Sequence, residues 1–217
     1  MEQIGYFHTQ KTRPMTIGYL LFTPDDLRPD ETLPLIVFLH GAGERGENIR
    51  DVKRHGLPKL WGRGERPVRA IVLCPQCPSD DFWNAMTHEL KELIDAVAAA
   101  QPVDPDRISL TGISMGGFGT WATAITYPSF FSAIAPICGG GMAWSAPVLG
   151  QLPIRAFHGD CDTIVEPQYS LQMVQAVNRF GGHALLELCP GLDHDCWTYA
   201  YEQTDLLSWL IAQKRKG

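Results

Sequence analysis

Short, almost continuously apolar runs rich in β-branched residues alternate along this chain with longer stretches of helical periodicity, and few folds accommodate that rhythm. The strand-like runs cover residues 15–22, 35–39, 70–73, 108–111, 133–137, 154–157 and 184–188. Several lack polar alternation, as strands buried on both faces of a sheet should. Between them, residues 88–100 place Leu90, Leu93, Ile94 and Val97 at i, i+3, i+4 and i+7, an amphipathic stripe. Helices are also predicted over 115–126, 168–180 and 197–212, and an interrupted one over 48–60, broken by Gly56 and Pro58. This alternation implies right-handed βαβ crossovers and a mostly parallel sheet with helices on both faces. The expectation is one α/β domain over residues 1–217, with chemistry at the carboxyl ends of the strands.

The totals narrow the function classes. A hydrophobic share of 45% with 19% charged residues is ordinary for a protein with a sizeable core, and a net charge of −6 offers no footprint for nucleic acid. The one basic cluster, Lys214-Arg215-Lys216, reads as a solvated tail. No apolar run approaches a membrane span, and Met1–Tyr6 lacks the basic and apolar regions of a signal peptide. Six cysteines in a chain of this size read as thiols in a reducing cytoplasm. Cys74-Pro75-Gln76-Cys77 has CxxC spacing, and Cys189, His194 and Cys196 could be imagined as ligands. With no second CxxC pair, however, all are read as small buried or half-buried thiols. No metal or cofactor is expected.

Four strand ends carry polar, glycine-rich sequence. Gly112-Ile113-Ser114-Met115-Gly116 is a G-x-S-x-G pattern whose setting outweighs the pattern itself: Arg107–Thr111 reads as a strand, and Met115-Gly116-Gly117-Phe118 opens a helix. That is the arrangement of a nucleophile elbow, in which a strained turn lifts the serine above the sheet at a helix N-terminus. A serine hydroxyl needs a base. His194, in the Gly-rich loop after the last strand, is the predicted base; His183 lies at the amino end of that strand, and His158 reads as a structural hydrogen-bonding residue. Asp162 is the predicted acid, with Asp160 the alternative; Asp193 and Asp195 flank His194 too closely to meet its ring. One oxyanion donor is the Met115 N–H. The other comes from His40-Gly41-Ala42-Gly43-Glu44-Arg45-Gly46, with Ala42 first choice and Gly43 next. Glu44-Arg45 either braces that loop or contacts substrate.

Together these segments resemble α/β-hydrolase serine esterases of the putative-esterase, feruloyl-esterase and predicted-peptidase group. The likeness runs from Leu33–Gly46 through Cys74–Pro78, Gly112–Gly117 and His158–Val165 to Gly191–His194, and the HGAGERG segment is its most group-specific part. It implies the α/β-hydrolase fold, Ser114, Asp162 and His194 as a catalytic triad, the Ala42 N–H as oxyanion donor, and carboxylesterase activity. Only residues 138–151 separate two strands where larger relatives insert a lid, so the site is expected to be open. Trp83, Trp144 and Trp197 fall near strand-end loops, where they either line a site for aryl or sugar esters or pack internally. The expected partner is a small ester, with homodimerisation left open. A thioesterase or deacylase, a small peptidase, and a non-catalytic binding protein are the rivals; a dienelactone-type hydrolase is disfavoured by serine at the elbow.

Overall fold

In the computed structural model, which describes residues 1–9 and 13–215, eight strands form one sheet in the order β1-β2-β4-β3-β5-β6-β7-β8. They are β1 (Glu2–Thr9), β2 (Met15–Phe22), β3 (Leu33–Leu39), β4 (Ile71–Pro75), β5 (Val103–Ile113), β6 (Ala133–Ile137), β7 (Ile154–Gly159) and β8 (Ala184–Cys189). Strands β3 to β8 pair in parallel, while β1 and β2 add an antiparallel hairpin on the β4 edge. All seven residues of β3 are buried, which accounts for its uninterrupted apolar sequence. β1 went unanticipated. At the sheet edge Ile4 and Tyr6 face solvent while Phe7 on the opposite face packs against the core, so apolar residues fall on both faces and the sequence shows no alternation to read.

Among the described residues, six α-helices divide between the two faces. α2 (Thr87–Ala100), α3 (Met115–Thr126) and α4 (Gln168–Arg179) cover one, over a core that includes Leu90, Leu93, Trp121 and Met173. α1 (Gly56–Gly62), α5 (Trp197–Glu202) and α6 (Leu206–Ala212) cover the other, with Leu57, Trp61, Ala200 and Leu206 in its core. Each buried Leu, Ile or Phe contributes about 1.5–3 kcal/mol relative to exposure.

Two predicted helices are divided. Over 48–60 there is instead a 3₁₀ turn at Ile49–Arg54 followed by α1, with Gly56 at φ +61° and a Cβ there only 2.5 Å from the Phe38 ring. Over 197–212 the helix breaks between α5 and α6. Thr204 Oγ1 donates to the Ala200 carbonyl at 2.6 Å and accepts from the Leu206 N–H at 3.1 Å, closing one helix and opening the next. No helix among the described residues is long and apolar enough to cross a membrane. Lys216 of the C-terminal basic cluster lies outside the described residues.

Candidate active site

β5 ends in a turn that only this sequence pattern permits. Ser114 sits at φ +54°, ψ −119°, a region costly for a residue with a Cβ. Its N–H donates to the Ile137 carbonyl at 2.9 Å, and its own carbonyl accepts from Phe118 at 3.1 Å, so β6 and α3 together hold the strain. A Cβ on Gly116 would lie 2.0 Å from the Leu39 carbonyl oxygen, and one on Gly112 would lie 2.4 Å from that of Gly116. Strand and helix approach this closely because both positions are glycine.

Three side chains from three strand ends meet above this turn. Ser114 Oγ is 2.9 Å from His194 Nε2, and His194 Nδ1 is 2.7 Å from Asp162 Oδ2. With Nδ1–H donating to the carboxylate, Nε2 is left to accept the serine proton. Asp162 Oδ1 accepts from the N–H groups of Ile164 and Val165, each at 2.9 Å. Burial pulls the Asp162 carboxyl upward, but the His194 bond and these two amides outweigh it and hold it below the ordinary carboxylate range. The Trp197 ring stands edge-on to His194, centroids 5.3 Å apart.

The other acids have separate tasks. Asp160 accepts from the Gly191 N–H at 2.7 Å, fixing the turn after β8. Asp193 Oδ1 accepts from the Thr163 N–H at 3.0 Å and the His194 N–H at 2.8 Å, tying the acid loop to the histidine loop. Asp195 accepts from the Thr198 N–H at 3.1 Å at the start of α5. His183 is exposed at the amino end of β8. His158 is fully buried and lies on the far side of the acid. Its Nε2 is 2.8 Å from the Val165 carbonyl and 3.2 Å from Asp162 Oδ2, while its Nδ1 meets Ser170 Oγ at 2.7 Å. Burial pushes its imidazole down, towards the neutral form.

The loop after β3 abuts the serine: a Cβ on Gly41 would lie 3.6 Å from Ser114 Cβ. Ala42 and Met115 head a 3₁₀ turn (Ala42–Glu44) and α3, and first-turn N–H groups have no intrahelical acceptor. The peptide plane carrying the Ala42 N–H is set from behind, because the Gly41 carbonyl accepts from His40 Nδ1 at 2.6 Å. His40 Nε2 in turn accepts from the Cys77 N–H at 3.0 Å. Burial holds this imidazole neutral, its pKa pushed down to about 4. Arg45 reaches the Ala42 and Asp81 carbonyls at 3.1 and 3.3 Å and lies 4.7 Å over the Phe82 ring; Arg54 reaches the exposed Gly43 carbonyl at 3.3 Å. Arg45 is therefore a brace. Glu44 is buried between His40 and His55, 3.9 and 3.7 Å from their nitrogens, and burial raises its carboxyl.

Sequence reasoning missed what Cys74–Cys77 does. Gln76 Nε2 donates to the carbonyls of Glu44 and Asn48, both at 2.9 Å, and Cys77 lends both its N–H and its carbonyl to the β3 loop. The segment is a backbone clamp; burial pushes the Cys77 thiol up to about 12. Five cysteines are buried, among them Cys74, Cys77, Cys189 and Cys196 as expected, whereas Cys161 is exposed. Cys138 and Cys196 bring their sulfurs to 2.9 Å beneath the His194 carbonyl.

The tryptophans separate. Trp83 is a correction: it is fully buried, its Nε1–H donating to the His40 carbonyl at 3.0 Å, and it presents no face to a substrate. Trp197 is 8% exposed and backs the His194 ring. Trp144 is 79% exposed, beside a depression lined by Gln172, Gln175 and Arg179.

A mostly parallel sheet with a strained serine after β5 and an acid and a histidine after β7 and β8 defines an α/β-hydrolase. Residues 65–163 match the family "Putative esterase". It is 40% identical to the S-formylglutathione hydrolase of Rattus norvegicus over 58% of this chain and 41% of that protein. To the poly(3-hydroxyoctanoate) depolymerase of Pseudomonas fluorescens it is 28% identical over 55% of each. Among solved structures, a thermostable esterase superposes with a TM-score of 0.86 at 29% identity, over 99% of this chain and 63% of that one. The feruloyl esterase module from Clostridium thermocellum complexed with sinapinate gives 0.76 at 14% identity, over 100% and 90%. The chain spans about half the length of the two curated relatives.

Proposed function

We propose that this chain is a serine carboxylesterase acting through Ser114, His194 and Asp162. The observation that carries the reading is the continuous hydrogen-bonded line from a serine at positive φ through His194 to a fully hydrogen-bonded carboxylate. His194 Nε2 takes the hydroxyl proton as Ser114 Oγ attacks the ester carbonyl carbon. The carbonyl oxygen becomes an oxyanion that accepts from the Ala42 and Met115 N–H groups. Collapse breaks the bond to the alcohol oxygen, which leaves with the proton from His194 Nε2. Water, deprotonated by His194, then attacks the acyl-serine, and the carboxylic acid departs with Ser114 restored. Asp162 keeps the imidazole in the Nδ1–H tautomer and stabilises its cation. The substrate is a small carboxylic ester, and we place the activity in the cytoplasm, as cysteine usage suggests.

Ser114→Ala is expected to lower turnover of p-nitrophenyl acetate by at least about 10³-fold while leaving the circular dichroism spectrum unchanged. Undiminished turnover would refute the assignment. The matches to S-formylglutathione hydrolases favour thioester hydrolysis as a second reading. The ratio of kcat/KM for an acetyl thioester to that for the matching oxygen ester decides between them.

A further inference from the structure

A groove of about 410 Å³ runs along the solvent face of α3. Its floor is Phe118, Ala122 and Ile125, successive positions on one helical face, and its walls are Asn84 on one side and Gly140, Met142 and Tyr169 on the other. Phe118 is one helical turn from the nucleophile, its N–H bonded to the Ser114 carbonyl, so the groove begins one turn beyond the elbow on the same helix. Phe118 and Tyr169 meet edge-to-face with centroids 5.8 Å apart, forming its aromatic mouth. No side chain stands at Gly140, where a Cβ would press to 2.6 Å on Tyr169 Cβ. From Phe118 to Thr126 the groove extends about 12 Å at 1.5 Å per residue, long enough for an extended octanoyl chain.

The sheet decides which half of an ester lies there. His194 precedes α5, on the face covered by α1, α5 and α6, whereas α3 lies on the opposite face with α2 and α4. His194 must hand its proton to the leaving oxygen, so the alcohol lies on the α5 side. The acyl substituent then points the other way, over α3. Resting on the serine-esterase reading, we infer that the α3 groove is the acyl site and that the acyl group it takes is an extended apolar chain.

The test is a series of p-nitrophenyl esters from acetate to octanoate. In the unaltered protein kcat/KM rises by about twofold for each methylene half-buried in the groove, chiefly through KM. Ala122→Phe fills the floor, and Met142→Glu places a charge on a half-exposed wall where misfolding is not at issue. Each is expected to cut the octanoate-to-acetate ratio of kcat/KM at least tenfold. A flat chain-length profile, or a ratio unchanged by Met142→Glu, overturns the acyl groove while leaving the esterase reading intact. No turnover of any ester, with no fluorophosphonate labelling of Ser114, overturns the esterase reading itself.

Discussion

Asp162 has more donors than its proposed role as triad acid strictly needs: two amides on one oxygen, and His194 with His158 on the other. The His158 contact is the one that could be removed without touching the proton path. A hydrogen bond to an ionised group is worth about 1.5–3 kcal/mol. If His158 orients the carboxylate, His158→Leu lowers kcat by about tenfold or more with KM unchanged, and His158→Gln, which keeps a donor, restores most of it. Equal losses in both variants would mean that His158 only fills space. At this scale the sequence was most legible where chain order and chemistry agree. Ser114, His194 and Asp162 could be chosen because each lies just past a strand end, on the loop side of the sheet. His158 could be recognised as hydrogen-bonding, but its partner could not, because a residue inside a strand end gives no sign of which neighbour it faces.

Between elements, the elbow is the least tolerant junction. Gly116→Ala would put a methyl group 2.0 Å from the Leu39 carbonyl oxygen, so β3 or α3 must move. Overpacking of this kind costs about 1–3 kcal/mol or more, a fall in Tm of roughly 3–10 °C for a chain of this size. Gly43→Ala meets nothing within 4 Å and is expected to leave Tm nearly unchanged, so differential scanning calorimetry of the pair separates close approach from mere loss of a glycine. Similar shifts in both would contradict the packing argument. The central strands were readable because burial on both faces writes an apolar run. The edge strand β1 was not, since its apolar residues fall on both faces, Ile4 and Tyr6 towards solvent and Phe7 towards the core. The break between α5 and α6 escaped because Thr204 acts through its own backbone neighbours rather than through periodicity. Trp83 could be placed near a strand end, but lining a site and packing internally could not be told apart, since a tryptophan at a helix start serves either purpose.

Across the whole molecule, two histidines are buried neutral on either side of the elbow, and this sets how the protein meets acid. His40 donates through Nδ1 and accepts through Nε2, a pattern that an imidazolium cannot keep because protonated Nε2 would face the Cys77 N–H. Burial and Arg45 lower its pKa from 6.5 to about 4 against the opposing Gly41 bond, so the unfolded chain binds this proton first. His40 therefore supports the fold fully above pH 6.5, and that support drains away as pH falls towards 4, by on the order of 3 kcal/mol. His158, also lowered, acts in the same direction. Melting temperatures between pH 7 and 4.5 should fall less steeply in His40→Gln than in the unaltered protein; parallel curves would remove His40 from the acid response.

The division of helices between the two faces of the sheet has a consequence for how such a protein can change. The proposed proton transfer would be assembled from β7, β8 and the α5 side, while the surface that would sort acyl groups belongs to α3 and the loop after β6. Substitutions that reshape one surface have little chemistry to disturb on the other, so a lineage can trade substrates by drifting along α3 while its reaction stays fixed.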